Sequence, residues 1–334
     1  MTAKVNVAIV GATGLVGSAL VELINDNYLP VAAVHLLASM NSAGERVEVK
    51  GKYARVELIE QFDFTQVQLA FFAVPEEVAA QYIPQAVEAG VTVIDASGSL
   101  VADTNVPIVV PEVNGDMLAG YRGTNVVASP SGGAIALAMA LKPLHDIAGI
   151  QQVNATLCEP ASSLGKAGTD ELARQTARLL SGQDSEAQEQ VAFNILPQLG
   201  NAQESGYTRA EIRVAFETLR LLGDTQIGVN ATCMQMPIFF GHTLNVHINT
   251  LQALPVEAAA HALEQAGLRF VDSNKPYATA LGDAVGKDDV WVSRLRRDLT
   301  QQNGLSFTLV SDNLRKGSAL NMVHIAQQWL HQQV

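Results

Sequence analysis

The sequence predicts an α/β protein of two domains: an N-terminal one with a parallel sheet covered by helices, and an α+β one with a mostly antiparallel sheet. Short, near-continuous apolar runs alternate with helical stripes through the first part of the chain, as strands buried on both faces do. After Ser129-Pro130-Ser131-Gly132-Gly133 the strands lengthen and alternate between apolar and polar residues, with long amphipathic helices between them. At 334 residues the chain also exceeds the roughly 100–200 expected of one domain.

Each element follows from its pattern. Val5–Val10 is an apolar strand, and Leu15, Ala19, Leu20, Leu23 and Ile24 place a helix over Leu15–Asn27. Val31–Ala38, Leu69–Val74 and Val91–Asp95 are further strands. Between the last two, Pro75–Ala89 is a helix with proline at its entry and Gly90 past its end. Val106–Val110 and Thr124–Ala128 extend the sheet. In the second part, Ala134–Leu144 is a helix, and Gln151–Leu157, Ile227–Gln235 and His242–Leu251 are strands. Helices span Gly168–Leu180 and Thr208–Leu222, and Leu314–Gln333 is the final one. The segment Gly182–Gly206 lacks periodicity and is a candidate lid or dimer segment.

Composition narrows the function. Hydrophobic residues make up 48% and charged residues 16%, which excludes a disordered chain. The net charge of −12 argues against a nucleic-acid partner, because phosphate binding needs concentrated Lys and Arg. No apolar run reaches the ~18 residues of a membrane span. Cys158 and Cys233 form no metal or disulfide pattern, and no signal-peptide pattern opens the chain. The expectation is a cytoplasmic protein without a metal.

Gly11-Ala12-Thr13-Gly14-Leu15-Val16-Gly17 follows a strand and opens a helix. Glycines let the backbone turn tightly towards a diphosphate, and the helix N-terminus offers N–H groups. This is a variant of the Rossmann-type dinucleotide fingerprint, with Gly11, Thr13, Gly14, Leu15 and Val16 as the expected contacts. The acidic residue that holds a ribose should end the second strand, yet that segment reads Ala38-Ser39-Met40-Asn41-Ser42-Ala43-Gly44. Ser39, Asn41 and Ser42 fit a 2′-phosphate, which tilts the cofactor towards NADP. An ordinary polar turn fits equally.

These segments resemble the aspartate-semialdehyde dehydrogenase family over nearly the whole length. The anchors are Val7–Gly17, Ser42–Gly44, Val106–Asn114, Glu171–Leu180, Met236–His242, Gly286–Arg296 and Ser311–Asn321. The resemblance implies an NADP-binding Rossmann domain over 1–128, a dimerisation domain over 129–312, a tail helix over 313–334 that returns to the first domain, and a homodimer. It also implies reductive dephosphorylation of an acyl phosphate: a cysteine thiolate forms a thioester, NADPH delivers hydride, and a histidine is the acid/base.

The departures fall on that chemistry. Gly132 stands where the resemblance implies the nucleophilic cysteine. Losing a nucleophile costs on the order of a million-fold in triad enzymes. Val101 and Gln235 stand where arginines should bind phosphate and carboxylate, Glu159 replaces a glutamine, and Asn41 replaces the 2′-phosphate arginine. A substrate-binding glutamate becomes Ala210, or Glu211 in a register shifted by one, and its lysine partner becomes Arg213. His242 matches the acid/base, and Asn313 and Gly317 match contacts to the nicotinamide end. Cys158 reads as a small buried residue and not as a replacement nucleophile, because its neighbour Glu159 opposes thiolate formation; Ser129 and Ser131 read as turn and capping residues. The chain resembles the Usg-type paralogues of the family, which lack the cysteine. The alternative is an active NADP-dependent oxidoreductase on an aldehyde or ketone, with His242 as acid/base.

Overall fold

The computed structural model describes residues 4–184, 187, 189–272 and 275–332. Its chain divides into two compact units. One runs up to Ser131 and resumes at Ser318, and the other is Gly132–Gly317. No helix among the described residues is long and apolar enough to cross a membrane.

The first unit contains β1 (Val5–Val10), α1 (Leu15–Asn25), β2 (Val31–Ala38), β3 (Arg46–Val49), β4 (Lys52–Leu58), β5 (Leu69–Phe72), α2 (Glu76–Glu88), β6 (Thr92–Asp95), the short α3 (Pro111–Asn114) and β7 (Val126–Ala128). Its sheet runs β3-β4-β2-β1-β5-β6-β7. β1 pairs in parallel with β2 on one side and β5 on the other, so the strand order reverses beside the glycine turn, where α/β sheets open a crevice for ligands. Val7, Ala8, Ile9 and Val10 are all buried, which explains the unbroken apolar run.

Two departures from expectation have clear causes. β3 and β4 form an antiparallel hairpin turned at Lys50 and Gly51, both at positive φ, as two-residue hairpins require. Val106–Val110 forms no strand and makes only one bridge, Ile108 to Ala128. Pro107 and Pro111 flank that bridge, and proline cannot donate to a ladder.

α8 (Leu320–Gln332) belongs to this unit. Its Leu320, Met322, Val323, Ile325, Ala326 and Trp329 join the core formed by β1 and α1. The helix starts later than the sequence pattern suggests because Arg315–Ala319 forms a π turn before it. Gln333, the expected last residue, lies outside the described residues.

The second unit holds α4 (Gly132–Ala148), β8 (Ile150–Glu159), α5 (Gly165–Leu180), α6 (Arg209–Leu222), β9 (Gly228–Gln235), β10 (His242–Thr250), α7 (Val256–Gln265), β11 (Arg269–Phe270), β12 (Trp291–Arg297) and β13 (Gly304–Ser311). The sheet order is β11-β12-β13-β10-β8-β9. The pairs β12–β13, β13–β10 and β10–β8 are antiparallel, whereas β8–β9 and β11–β12 are parallel. One face is apolar: Val153, Leu157, Leu244, Val246, Phe307 and Leu309 are buried, with α4 against β8 and β10. The other face is polar and open, with Asn154, Asn230, Thr232 and Asn245 exposed.

Candidate functional site

His242 opens β10 and lies opposite Ser311, the last residue of β13. Directly opposed antiparallel residues project to the same face. The imidazole Nε2 lies 2.5 Å from Ser311 Oγ, and His242 is only 1% exposed. Its Nδ1 is buried without a hydrogen-bond partner, and the nearest carboxylate oxygen, Glu159 Oε1, is 3.8 Å away. Asn313 fixes the backbone just before His242: its Oδ1 accepts from Gly241 N at 2.9 Å, and its Nδ2 donates to Ser162 Oγ at 3.0 Å.

Glu159 ends β8 on the same face as Leu157. Ser163 Oγ donates to its Oε2 at 2.6 Å. Burial alone would raise the Glu159 carboxyl, but His242 and Ser163 outweigh it and hold it below the ordinary range. In the parallel β8–β9 pair, Glu159 stands beside Gln235. Gln235 is itself buried, and its backbone exchanges hydrogen bonds with Leu196 of the 182–206 segment at 3.0 and 3.1 Å. Ser185, Glu186 and Gln188 of that segment lie outside the described residues.

Gly132 is the first residue of α4. A Cβ built there would lie 3.1 Å from His242 Cε1 and 3.1 Å from Gly317 O. Gly132, His242, Glu159, Gln235 and Gly317 therefore form one polar cluster at the strand ends.

The remaining substrate-site candidates have structural engagements. Thr208 and Glu211 form a capping box on α6. Glu211 Oε2 accepts from Thr208 N at 2.7 Å, and Oε1 accepts from Cys233 N at 2.9 Å. Arg213 Nε donates to Glu217 Oε1, one turn along the same helix, at 2.8 Å. Neither cysteine is an activated thiol. Burial, then the Glu159 charge, raises Cys158, which projects to the face of β8 opposite Glu159. Burial, then Glu159 and Glu211, pushes Cys233 far up. In the first unit, Ser129 Oγ accepts from Asn321 Nδ2 at 2.9 Å within the core, so this serine locks the turn. Ser131 immediately precedes α4. Val101 is buried. No group of His, Cys, Asp and Glu able to hold a metal occurs among the described residues.

The glycine turn fits a dinucleotide diphosphate. α1 begins after Gly14 with no side-chain cap and no acidic residue in its first turn. The N–H groups contributed around Thr13, Gly14, Leu15 and Val16 therefore meet no competing anion. Side chains at Gly11 and Gly17 are impossible, because their Cβ atoms would lie 2.3 Å from Ala73 O and 2.1 Å from Gly11 O. Beyond β2, Ser39 O accepts from Ser42 N and Ala43 N at 3.1 Å, a turn that also carries Asn41.

Residues 6–121 match the profile of a semialdehyde dehydrogenase NAD-binding domain, and residues 141–316 that of a semialdehyde dehydrogenase dimerisation domain. The chain is 40% identical to aspartate-semialdehyde dehydrogenase 2 of Vibrio cholerae over 98% of each chain. It belongs to the aspartate-semialdehyde dehydrogenase family. A USG-1 protein homolog of Azotobacter vinelandii is also 40% identical, over 99% of each chain. The crystal structure of aspartate semialdehyde dehydrogenase II complexed with ASA from V. cholerae superposes with a TM-score of 0.96 at 40% identity, over 99% of this chain and 100% of that one. The family fold, a Rossmann-like NAD(P)-binding domain followed by a mixed α/β dimerisation domain, is the one described above. Sequence reasoning missed Ser311 and Ser163 as partners of His242 and Glu159. Ser311 opens the quoted Ser311–Asn321 segment, but its pairing depends on a strand register that sequence does not display.

Proposed function

We propose that this chain is a non-catalytic member of its family, a nucleotide-binding homodimer that does not perform the thioester chemistry. The observation that carries this reading is Gly132 facing His242. The family's reaction breaks the acyl–phosphate bond by thiolate attack, releases phosphate and leaves a thioester for reduction. At this position there is no atom to make that bond. Cys158 and Cys233 do not substitute, since their surroundings oppose the thiolate. Gln235 and Val101 cannot pair with carboxylate or phosphate as arginines would, and Glu159 adds a buried negative charge beside Gln235.

NADP, when bound, supplies a hydride donor or acceptor. The chain's own part is to hold its diphosphate at Gly11–Val16, where the turn and the start of α1 offer uncapped N–H groups. His242, paired with Ser311, retains the family's acid/base position without a nucleophile to serve. The domains in this reading are 1–128 with the tail 313–334, and 129–312. The homodimer covers the open polar face of the second sheet through twofold symmetry. The unpaired state of both cysteines supports a cytoplasmic location.

Purified protein assayed with aspartate semialdehyde, phosphate and NADP should give no cofactor reduction above a preparation lacking the chain. Turnover well above that background overturns the reading.

A further inference from the structure

The hairpin at the edge of the first sheet places like charges face to face. Arg46 of β3 and Arg55 of β4 are directly opposed in the antiparallel register, so their side chains project to the same face. Like charges in that position destabilise a hairpin. Both residues are exposed, and among the described residues neither guanidinium has a hydrogen-bond or ion-pair partner. Glu57, on the same face of β4, is engaged by His35 Nδ1 at 3.0 Å. Glu48, two residues along β3, shares that face, but the position directly opposite each arginine is the other arginine, and this opposed pair of cations suits an anion from outside the chain.

Its place in the fold identifies the anion. The Arg55 side chain reaches back over the turn that follows β2: a Cβ at Gly44 would lie 3.6 Å from Arg55 Nη2 and 3.9 Å from Nε. Gly44, at φ +94°, leaves that guanidinium room. Gly44 N is tied to Val56 O at 2.9 Å, which pins the turn against β4 beside Arg55. A surface groove whose lining includes Ala43, Gly44, Arg55, Leu58 and Phe62, and also Glu57, the carboxylate engaged by His35, opens here. In a sheet of this topology the end of the second strand meets the adenosine ribose. The turn carries hydroxyls at Ser39 and Ser42 but no acidic side chain to take a 2′-hydroxyl.

We propose that Arg55, with Arg46 opposite it, binds the 2′-phosphate of NADP and makes this chain select NADP over NAD, in place of the arginine missing at Asn41. This rests on the nucleotide-binding part of the proposed function. Guanidinium pairs bind phosphate oxygens through charge-assisted hydrogen bonds, which a 2′-hydroxyl cannot replace.

Calorimetric titration of the full chain with NADP, NAD, adenosine 2′-monophosphate and adenosine 5′-monophosphate tests it. NADP should bind on the order of tenfold or more tighter than NAD, and the 2′-monophosphate tighter than the 5′-isomer. Arg55→Ala should remove most of that preference while leaving NAD affinity unchanged, and Arg55→Lys should restore part of it. Arg46→Glu reads the same pair in reverse: it should raise the melting temperature of the free protein by replacing repulsion with attraction, and abolish the NADP preference. Equal affinity for NADP and NAD in the wild type, or a preference that survives Arg55→Ala and Arg46→Glu, overturns this assignment and leaves the nucleotide reading standing. No binding of either dinucleotide overturns both.

Discussion

The imidazole of His242 lies so close to Gly132 that a Cβ atom there would sit 3.1 Å from Cε1. The ring has little freedom to retreat, since its Nε2 is held by Ser311 and the residue is 1% exposed. Gly132→Ala should therefore overpack the site, at a cost of about 1–3 kcal/mol. A helix-propensity gain below about 1 kcal/mol offsets part of it. Urea denaturation should show a net loss of stability. A variant at least as stable as the wild type would mean that His242 or Gly317 yields readily.

Thiol reactivity separates this position from the native cysteines. Iodoacetamide should modify the wild type slowly at neutral pH, because burial and neighbouring carboxylates oppose both native thiolates. Gly132→Cys puts a thiol at the first residue of the seventeen-residue α4, where helix N–H groups lower a thiol's pKa. Gly132 is half-buried, so reagent reaches it. Mass spectrometry should locate the fast label at position 132. Labelling no faster than the wild type would contradict the placement.

Restoring the thiol alone should restore little activity. Val101 and Gln235 stand where the family resemblance implies arginines for the substrate's anionic groups, and each missing charge-assisted hydrogen bond costs ~1.5–3 kcal/mol. Gly132→Cys combined with Val101→Arg and Gln235→Arg should exceed the single variant by on the order of a hundred- to ten-thousand-fold in kcat/KM. Equal activity in the two would show that these positions do not bind the anionic groups.

Acid titration isolates Glu159. Its carboxyl titrates lower in the folded chain than at its ordinary 4.5, because His242 and Ser163 outweigh burial. The stabilisation is thus complete above about pH 4.5 and is lost as pH falls through the depressed folded value. The melting-temperature advantage of the wild type over Glu159→Gln should shrink from about pH 6 to about pH 3. An advantage that grows on acidification would reverse the assigned sign.

Much of the fold was legible because its signals are local. The buried run Val5–Val10, the glycines after it and the helix stripe from Leu15 need only neighbouring residues to be read. The β3–β4 hairpin has a local signal as well, alternation on either side of the Lys50-Gly51 turn. Prolines 107 and 111 already argued against a strand at Val106–Val110. Thr208 and Glu211 carry the spacing of a capping box, which accounts for Glu211 as a helix cap. The contacts of His242 were not legible in the same way. Ser311 reaches it across paired strands 69 residues apart, and Gly132 reaches it from the start of a helix, so each pairing exists only once the sheet is assembled.

The backbone crowding at Gly11 and Gly17 bears on how this sequence can drift. Any side chain at either position would strike a carbonyl oxygen at 2.1–2.3 Å, so selection for a folded domain alone keeps both glycines in place. Arg46 opposite Arg55 obeys the opposite rule: without an anion, almost any mutation that breaks the pair relieves repulsion. Across descendants of this sequence, the glycine signature would outlast the nucleotide, and the facing arginines would vanish with it.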